Sequence, residues 1–533
     1  MPDPVLIAGA GPAGLTAALE LARFGIPVRI IDKLTEPETT SRAIGVQART
    51  LELLAQRGLA QEMVRLGNPA LGGCIYGGGA RLFRLDFTRI DSPYRHILFL
   101  SQAETERILR DALAHHGVTV ERGVELLALS QDVLSPAASP VQVVLRHADG
   151  RLEQVQVPWL ISAEGAHSRV RATLDLAFEG KTLPDDYVLA DLHLDADLET
   201  TDFHIFSSQH GLLTLFPLGG RHVRLIASDP ISPPSHDTPP SLEELQAIYD
   251  QRAHVPGRLH DLVWSSWFRI NSRMVQRLRV GRFLLGGDAA HIHSPAGGQG
   301  MNTGIQDMIS LGWRLAMVMQ GRAPEALLDT YEQDRLPVMR SVLSRTETLT
   351  ELMGAENAVV RGLVNHVAPW IGAMDRHVGI VQQNAATQMS QIAINYRHGG
   401  MSANHAHGGA LRAGDRVPDL PVRLRTGTGW QDKALHAVLD PSRFVLLIAG
   451  PGEAERAIPG AWDAVRPWAS SIGLAEIAPV ADEASAARFR SEFGHTASAI
   501  LVRPDGYIAT AVGQHAAAVV LPAYCRQWLT ASG

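Results

Sequence analysis

A chain of 533 residues, 45% hydrophobic and 19% charged, is a globular chain of two or three domains, neither disordered nor fibrous. Its net charge of −7 gives no basic field for a phosphate backbone or an anionic membrane, which argues against both as partners. Two cysteines, Cys74 and Cys525, are too few for a disulfide framework, and the first apolar run, 5–10, stops at glycines without a basic leader, so the expected compartment is the cytoplasm.

The opening reads as a strand at 5–8, a glycine turn, an amphipathic helix near 13–24 and a second strand at 27–32, a βαβ unit. Short apolar runs at 158–163 and 282–286 read as further strands of the same parallel sheet. Between them, from about 178 to 268, apolar and polar residues alternate with Pro and Gly punctuation, which predicts a separate and largely antiparallel layer. Residues 305–353 have helical spacing, whereas 396–416, with five glycines and several histidines, has none and reads as a linker. Runs at 444–449 and 499–502 and the turn Pro504, Asp505, Gly506 predict a last α/β domain.

Gly9, Gly11 and Gly14, with Pro12 and Ala13 between them, form GxGxxG at a strand-to-helix turn, where bare backbone can approach a pyrophosphate held at the helix N-terminus. Asp32 closes the next strand at the spacing of a ribose ligand. A second glycine loop runs from Gly286, Gly287 and Asp288 through Pro295 and Gly298 to Gly300, Met301 and Asn302. There a strand ends in an acid that can hold a polyol hydroxyl, and the following helix N-terminus faces an anion. A plain NAD dehydrogenase has no use for that second loop; the ribityl chain and ring of FAD do. A third stretch, Ser162 to Arg171 around Glu164 and Gly165, reads on its own as helix capping.

Together the three stretches resemble the class A flavoprotein aromatic hydroxylases, in the branch with a thioredoxin-like C-terminal domain that includes phenol and polyketide hydroxylases and rifampicin monooxygenases. The resemblance implies an α/β chain: a Rossmann-like FAD-binding domain, an inserted, largely antiparallel β-sheet substrate domain, and a C-terminal thioredoxin-like α/β domain. The expected boundaries are 1–73, 97–177 and 272–340 for the FAD-binding domain and 74–96 and 178–271 for the substrate domain. A helical segment at 341–395, a linker at 396–416 and a thioredoxin-like domain at 417–533 that lacks CxxC complete the chain. The family pattern also assigns Arg42, Gln102, Lys33 and Val124 to the cofactor and Glu164 to a motif serving FAD and NAD(P)H, where aspartate is usual; Pro295 is placed beside the flavin edge.

The activity implied is hydroxylation of a phenolic or polyketide-like substrate with non-covalent FAD, with NADH or NADPH as transient co-substrate and O2, through a flavin C4a-hydroperoxide. The alternative is a flavoprotein that shelters an aromatic intermediate with little turnover. Phe203, Phe216 and Trp267 are expected to wall the pocket, with Phe206 and Phe268 near them. His204, His222, His291 and His293 leave the base unassigned, and no metal is expected. Because every flavin motif precedes residue 396, a chain ending near Asn395 is expected to keep FAD; the C-terminal domain is expected to serve packing or a homodimer.

Overall fold

Val5–Ala8 and Leu160–Ser162 are short, β-rich and wholly buried, and Val28–Asp32 beside them is buried at Ile30 and Ile31, as in the middle of a covered parallel sheet. The computed structural model describes residues 3–38, 43–130, 139–229, 238–294, 297–354, 375–450, 458 and 460–532, without the side chains of 184–185, 348–354 and 375–381. Arg42 and Pro295 lie outside the described residues. Val120–Arg122, Val28–Asp32, Val5–Ala8, Leu160–Ser162 and Phe283–Leu285 run parallel in that order, with Arg279–Val280 antiparallel at the edge. Helices Pro12–Arg23 and Gly300–Met319 pack side by side, close enough that a Cβ on Gly312 would stand 2.5 Å from Glu20 Cβ.

The second layer is an eight-stranded sheet built on two long antiparallel partners, Glu179–Ala196 and Gly257–Met274. It also takes in Gly72–Gly77 and Ala80–Asp86 from early in the chain. The period of two sorts its side chains. Val188, Ala190, Phe206, Leu213 and Leu225 face helix Leu242–Arg252, with Trp267 on the same side; Phe203 and Phe216 turn the other way, toward Phe99 and Ile97 of the first domain. The helical stretch expected at 305–353 is two helices, Gly300–Met319 and Asp329–Gly354, broken where Gly321 adopts φ +68.

Phe444–Ala449 is buried at every position and pairs parallel with Ile472–Pro479 and antiparallel with Ser498–Val502, at the centre of a seven-stranded C-terminal sheet. This domain shares its core with the first: Phe444 meets Trp313 edge-on at 5.6 Å. The stretch 396–416 is anchored at intervals, with Tyr396, Met401 and Ala413 buried and Ala403–Asn404 paired to Ile508–Gly513. Cys525 is buried in the same core, which pushes its thiol up to about 12. Among the described residues no helix is long and apolar enough to cross a membrane.

Candidate active site

Two cavities, of about 500 and 520 Å3, lie at the C-terminal ends of the parallel strands, where ligands of open α/β sheets bind. His167 lines both and marks their junction. The second, of about 520 Å3, is lined by Gly9, Asp32, Lys33, Val124 and Glu164. The other runs from Gly11, Pro12 and Ala13 past Gln102, Asp288 and the loop Gly298, Gly300 and Met301 to Phe99, Phe203, Phe216 and Ile226. Most of the expected contact positions are thereby gathered along one path, although they come from segments up to about 290 residues apart.

The three glycines of the first turn have different tasks. Gly9, at φ +100, could not carry a Cβ, which would fall 2.2 Å from the Ala163 carbonyl oxygen. A Cβ on Gly14 would sit 1.9 Å from the Gly9 oxygen. At Gly11 a Cβ would meet nothing within 4 Å, because that side faces the cavity. Gly11 is also the N-cap of helix Pro12–Arg23, with neither a side-chain cap nor an acid in the first turn, so the helix terminus is left for an anion. Helix Gly300–Met319 likewise starts without a side-chain cap or an early acid. Asp32 accepts from the Ala10 and Leu34 amides at 2.7 and 2.9 Å, with Arg122 3.7 Å away, which fixes its carboxylate at the mouth of the second cavity.

The second glycine loop is held from behind. Gly287, at φ +58, lies against Ala13, so that a Cβ there would be 2.8 Å from Ala13 Cβ, and Asp288 is exposed to the cavity in the turn Gly287–Ala289. Asp307 accepts from the Gly287 amide at 3.2 Å, from His291 Nε2 at 2.7 Å and from Arg335 Nε at 2.7 Å. Burial alone would raise the Asp307 carboxyl, but Arg335 and then His291 reverse this and hold it below the usual carboxylate range. Asn302 does not line the cavity. Fully buried, it accepts from the Gln47 amide at 2.8 Å and donates to the Gly45 and Gly298 carbonyls at 2.7 and 2.8 Å. Gln47 Nε2 donates to Gly297 O at 2.9 Å. These two amides staple a loop whose glycines 297 and 298 take left-handed φ of +82 and +60.

Several positions behave differently from expectation. Glu164 lines the second cavity, yet its carboxylate is spent locally: it accepts from Ser162 and Ser168 hydroxyls at 3.0 and 2.8 Å and from the Arg169 and Val170 amides at 3.2 and 3.1 Å. That is a cap on helix Arg169–Thr173. Trp267, expected in the pocket wall, stands opposite Val188 on the face turned to helix Leu242–Arg252; strand parity sends it away from the cavity. Phe206 is on that face too, and Phe268 packs with Tyr187. Gln102 lines the cavity and donates to Glu106 at 2.9 Å.

Of the four histidines, only His293 lines the cavity. Its Nδ1 is 2.8 Å from the Ser294 carbonyl, which must accept, so the ring proton is on Nδ1. Burial and the neighbouring His291 push its pKa down to about 4. His204 is tied to Tyr76 and the Glu199 carbonyl, and His222 stacks on His193. Sequence reasoning missed Gln47, whose only signal is a polar residue before a buried helix, and Arg224. Arg224 lines the cavity from inside an apolar strand and is gripped by Asp191 through two bonds of 2.7 and 2.8 Å.

The cavity path, its two open helix N-termini and the bare edge at Gly11 fit a dinucleotide whose pyrophosphate lies at Gly11 and whose far end reaches Gly298–Met301. Residues 3–346 match the FAD binding domain family, and residues 411–532 match the aromatic-ring hydroxylase C-terminal family. The chain is 36% identical to 6-methylpretetramide 4-monooxygenase of Streptomyces rimosus over 97% of its length and 92% of that protein. It is 32% identical to pentachlorophenol 4-monooxygenase of Sphingobium chlorophenolicum, over 96% of its length and 94% of that protein. The solved anhydrotetracycline hydroxylase of Streptomyces rimosus superposes with a TM-score of 0.78 at 31% identity, covering all of both chains. The chain belongs to the FAD-dependent aromatic-ring hydroxylases and is a flavin monooxygenase of that family, with FAD as its cofactor.

Proposed function

We propose that the chain hydroxylates a polyketide-like aromatic substrate, consuming one NAD(P)H and one O2 per turnover: ArH + NAD(P)H + H+ + O2 gives ArOH + NAD(P)+ + H2O. The carrying observation is that the apolar end of the first cavity, walled by Phe99, Phe203, Phe216, Ile226 and Met389, abuts the glycine loop 297–301. Bound FAD supplies the redox chemistry: it accepts a hydride equivalent and activates oxygen.

The chain's own residues supply the setting. The aromatic wall excludes water, which would otherwise divert reducing equivalents to hydrogen peroxide. The start of helix Gly300–Met319, with no side-chain cap and no acid in its first turn, favours negative charge nearby. His293, neutral at physiological pH with its proton on Nδ1, adds no charge to the apolar end. Among the described residues there is one dinucleotide-binding βαβ turn, at Gly9 to Asp32, and FAD takes it; NAD(P)H then binds transiently in the region of Glu164 to Arg171. The sheltering alternative rested on Glu164; that the Glu164 carboxylate accepts from the Arg169 and Val170 amides gives the residue a structural role and so supports the turnover reading.

The test is oxidation of NADH and of NADPH by purified yellow protein, alone and with a panel of phenols and polycyclic aromatics, followed by 18O2 labelling of the product. Substrate-stimulated oxidation with one 18O in the product is expected. Consumption that yields only hydrogen peroxide for every aromatic would refute the reading.

A further inference from the structure

The hairpin turn at 503–506 in the C-terminal domain would ordinarily lie on the surface. Instead Arg503 and Asp505 are each 2% exposed. Asp505 Oδ2 accepts from Trp313 Nε1 at 3.0 Å, and its carbonyl accepts from Arg49 at 2.8 Å. Arg503 donates to both Asp505 oxygens at 3.0 and 2.6 Å and approaches Asp334 at 2.9 Å; Asp334 in turn pairs with Arg314. Trp313 and Arg314 belong to the helix whose first turn forms the glycine loop.

A line of direct contacts continues from there to the flavin loop. Asp334 faces the C-terminal domain, and the next residue, Arg335, faces inward. Arg335 donates to Tyr396 OH at 2.9 Å and to Asp307 at 2.7 Å, and Arg503 lies over the Tyr396 ring at 4.9 Å. Asp307 receives the Gly287 amide. A buried ionic network of this kind adds little net stability compared with an apolar core, but it fixes geometry, since every charge has one arrangement that satisfies it.

We propose that the C-terminal domain is a positioning part of the flavin site: its Arg503 and Asp505 turn, acting through Tyr396 and Arg335, sets Asp307 and with it the Gly287–Ala289 loop. This rests on FAD occupying the cavity described above. A chain ending near Asn395, expected from motif order to keep FAD, would keep the Asp334–Arg314 and Arg335–Asp307 pairs but lack Arg503 and Tyr396, which hold the other side of Asp334 and Arg335, and so should bind FAD less tightly than the full chain.

The test uses the full chain. Tyr396→Phe keeps the ring and removes only the hydroxyl; Asp505→Asn removes a charge from the turn; Phe489→Leu, in the C-terminal core outside the network, is the control for general loosening. Read-outs are the FAD dissociation constant by fluorescence titration of apoprotein, the visible circular dichroism of bound flavin, and the apoprotein melting temperature. Tyr396→Phe should raise the dissociation constant about five-fold or more and alter the flavin dichroism. Asp505→Asn should do the same, and Phe489→Leu should lower only the melting temperature. If Tyr396→Phe leaves both flavin signals as in the wild type, the proposal is overturned, and it decides alone should Asp505→Asn not fold. Failure of the wild type itself to bind FAD would be a different result, against the flavin reading.

Discussion

Gly11 and Gly14 are both glycines of one fingerprint, yet the structure predicts opposite consequences for adding a methyl group. In Gly14→Ala the new Cβ would be 1.9 Å from the Gly9 carbonyl oxygen, backbone against backbone, so the turn itself must shift. Overpacking of this kind costs about 3 kcal/mol, at the upper end of its usual range. At roughly 2–4 °C per kcal/mol for a domain of this size, the apoprotein should melt about 6–12 °C lower. In Gly11→Ala the methyl meets no atom within 4 Å, and the residue's φ of −76 and ψ of −174 suit alanine. A slightly poorer N-cap offsets the stiffer unfolded chain, so apoprotein stability should stay within about 0.5 kcal/mol. With FAD held as the site reading has it, the methyl would instead stand in the path of the pyrophosphate to the helix terminus. Losing one charge-assisted bond, worth about 1.5–3 kcal/mol, raises the FAD dissociation constant by at least about ten-fold. Apoprotein melting and FAD titration of the two variants separate the effects. Wild-type FAD affinity in Gly11→Ala would refute the placement of the pyrophosphate, and an unshifted melt in Gly14→Ala would refute the packing argument.

Asp288→Ala should weaken FAD binding by about 1–3 kcal/mol through loss of a polar contact in the cavity, checked by the same titration. Asp307→Asn leaves Arg335 and His291 buried against a neutral amide and should cost about 3–5 kcal/mol of stability in a denaturant melt. Phe216→Ala should raise the KM for an aromatic substrate several-fold, whereas Trp267→Ala should lower the melting temperature and leave KM unchanged, because only Phe216 lines the cavity. For His293 the folded pKa, about 4, is below its ordinary 6.5, so between these values the unfolded chain binds a proton that the folded chain does not. Its contribution is complete above pH 6.5 and lost as the pH falls toward 4, and His293→Gln should flatten the stability profile across that window.

What could be read from the sequence was whatever depended on local order. A strand, a glycine turn, a helix and an acid follow one another within 32 residues, and that arrangement leaves few alternatives for the backbone. The cavity residues Gly11, Asp32, Asp288, Gly298 and Gly300 were found this way. What could not be read depended on which residue, far away in the chain, fills the other half of a contact. Asn302 sits inside a recognised motif, yet its side chain serves Gln47 and Gly45, more than 250 residues earlier, and no spacing rule announces that.

Glu164 and Trp267 show two further limits. For Glu164 the local reading, a helix cap, describes where the carboxylate goes, to the Arg169 and Val170 amides, while the family pattern pointed to the cofactor. Trp267 sits in a strand of 18 residues whose alternation is interrupted by irregular pairing, and alternation in any case assigns residues to two faces without saying which face meets the flavin domain. That choice is made by the other side of the contact, where Phe99 and Ile97 stand opposite Phe203 and Phe216 and helix Leu242–Arg252 covers Val188 and its neighbours. The buried turn at 503–506 carries the same lesson furthest. Its sequence is that of any exposed hairpin turn, and only the presence of Trp313, Arg314, Asp334 and Arg49 around it turns two charged residues into core. A charged turn can be buried there because the opposing charges of the first domain already lie in place, so the docking of the two domains and the shape of the flavin loop have to be solved together.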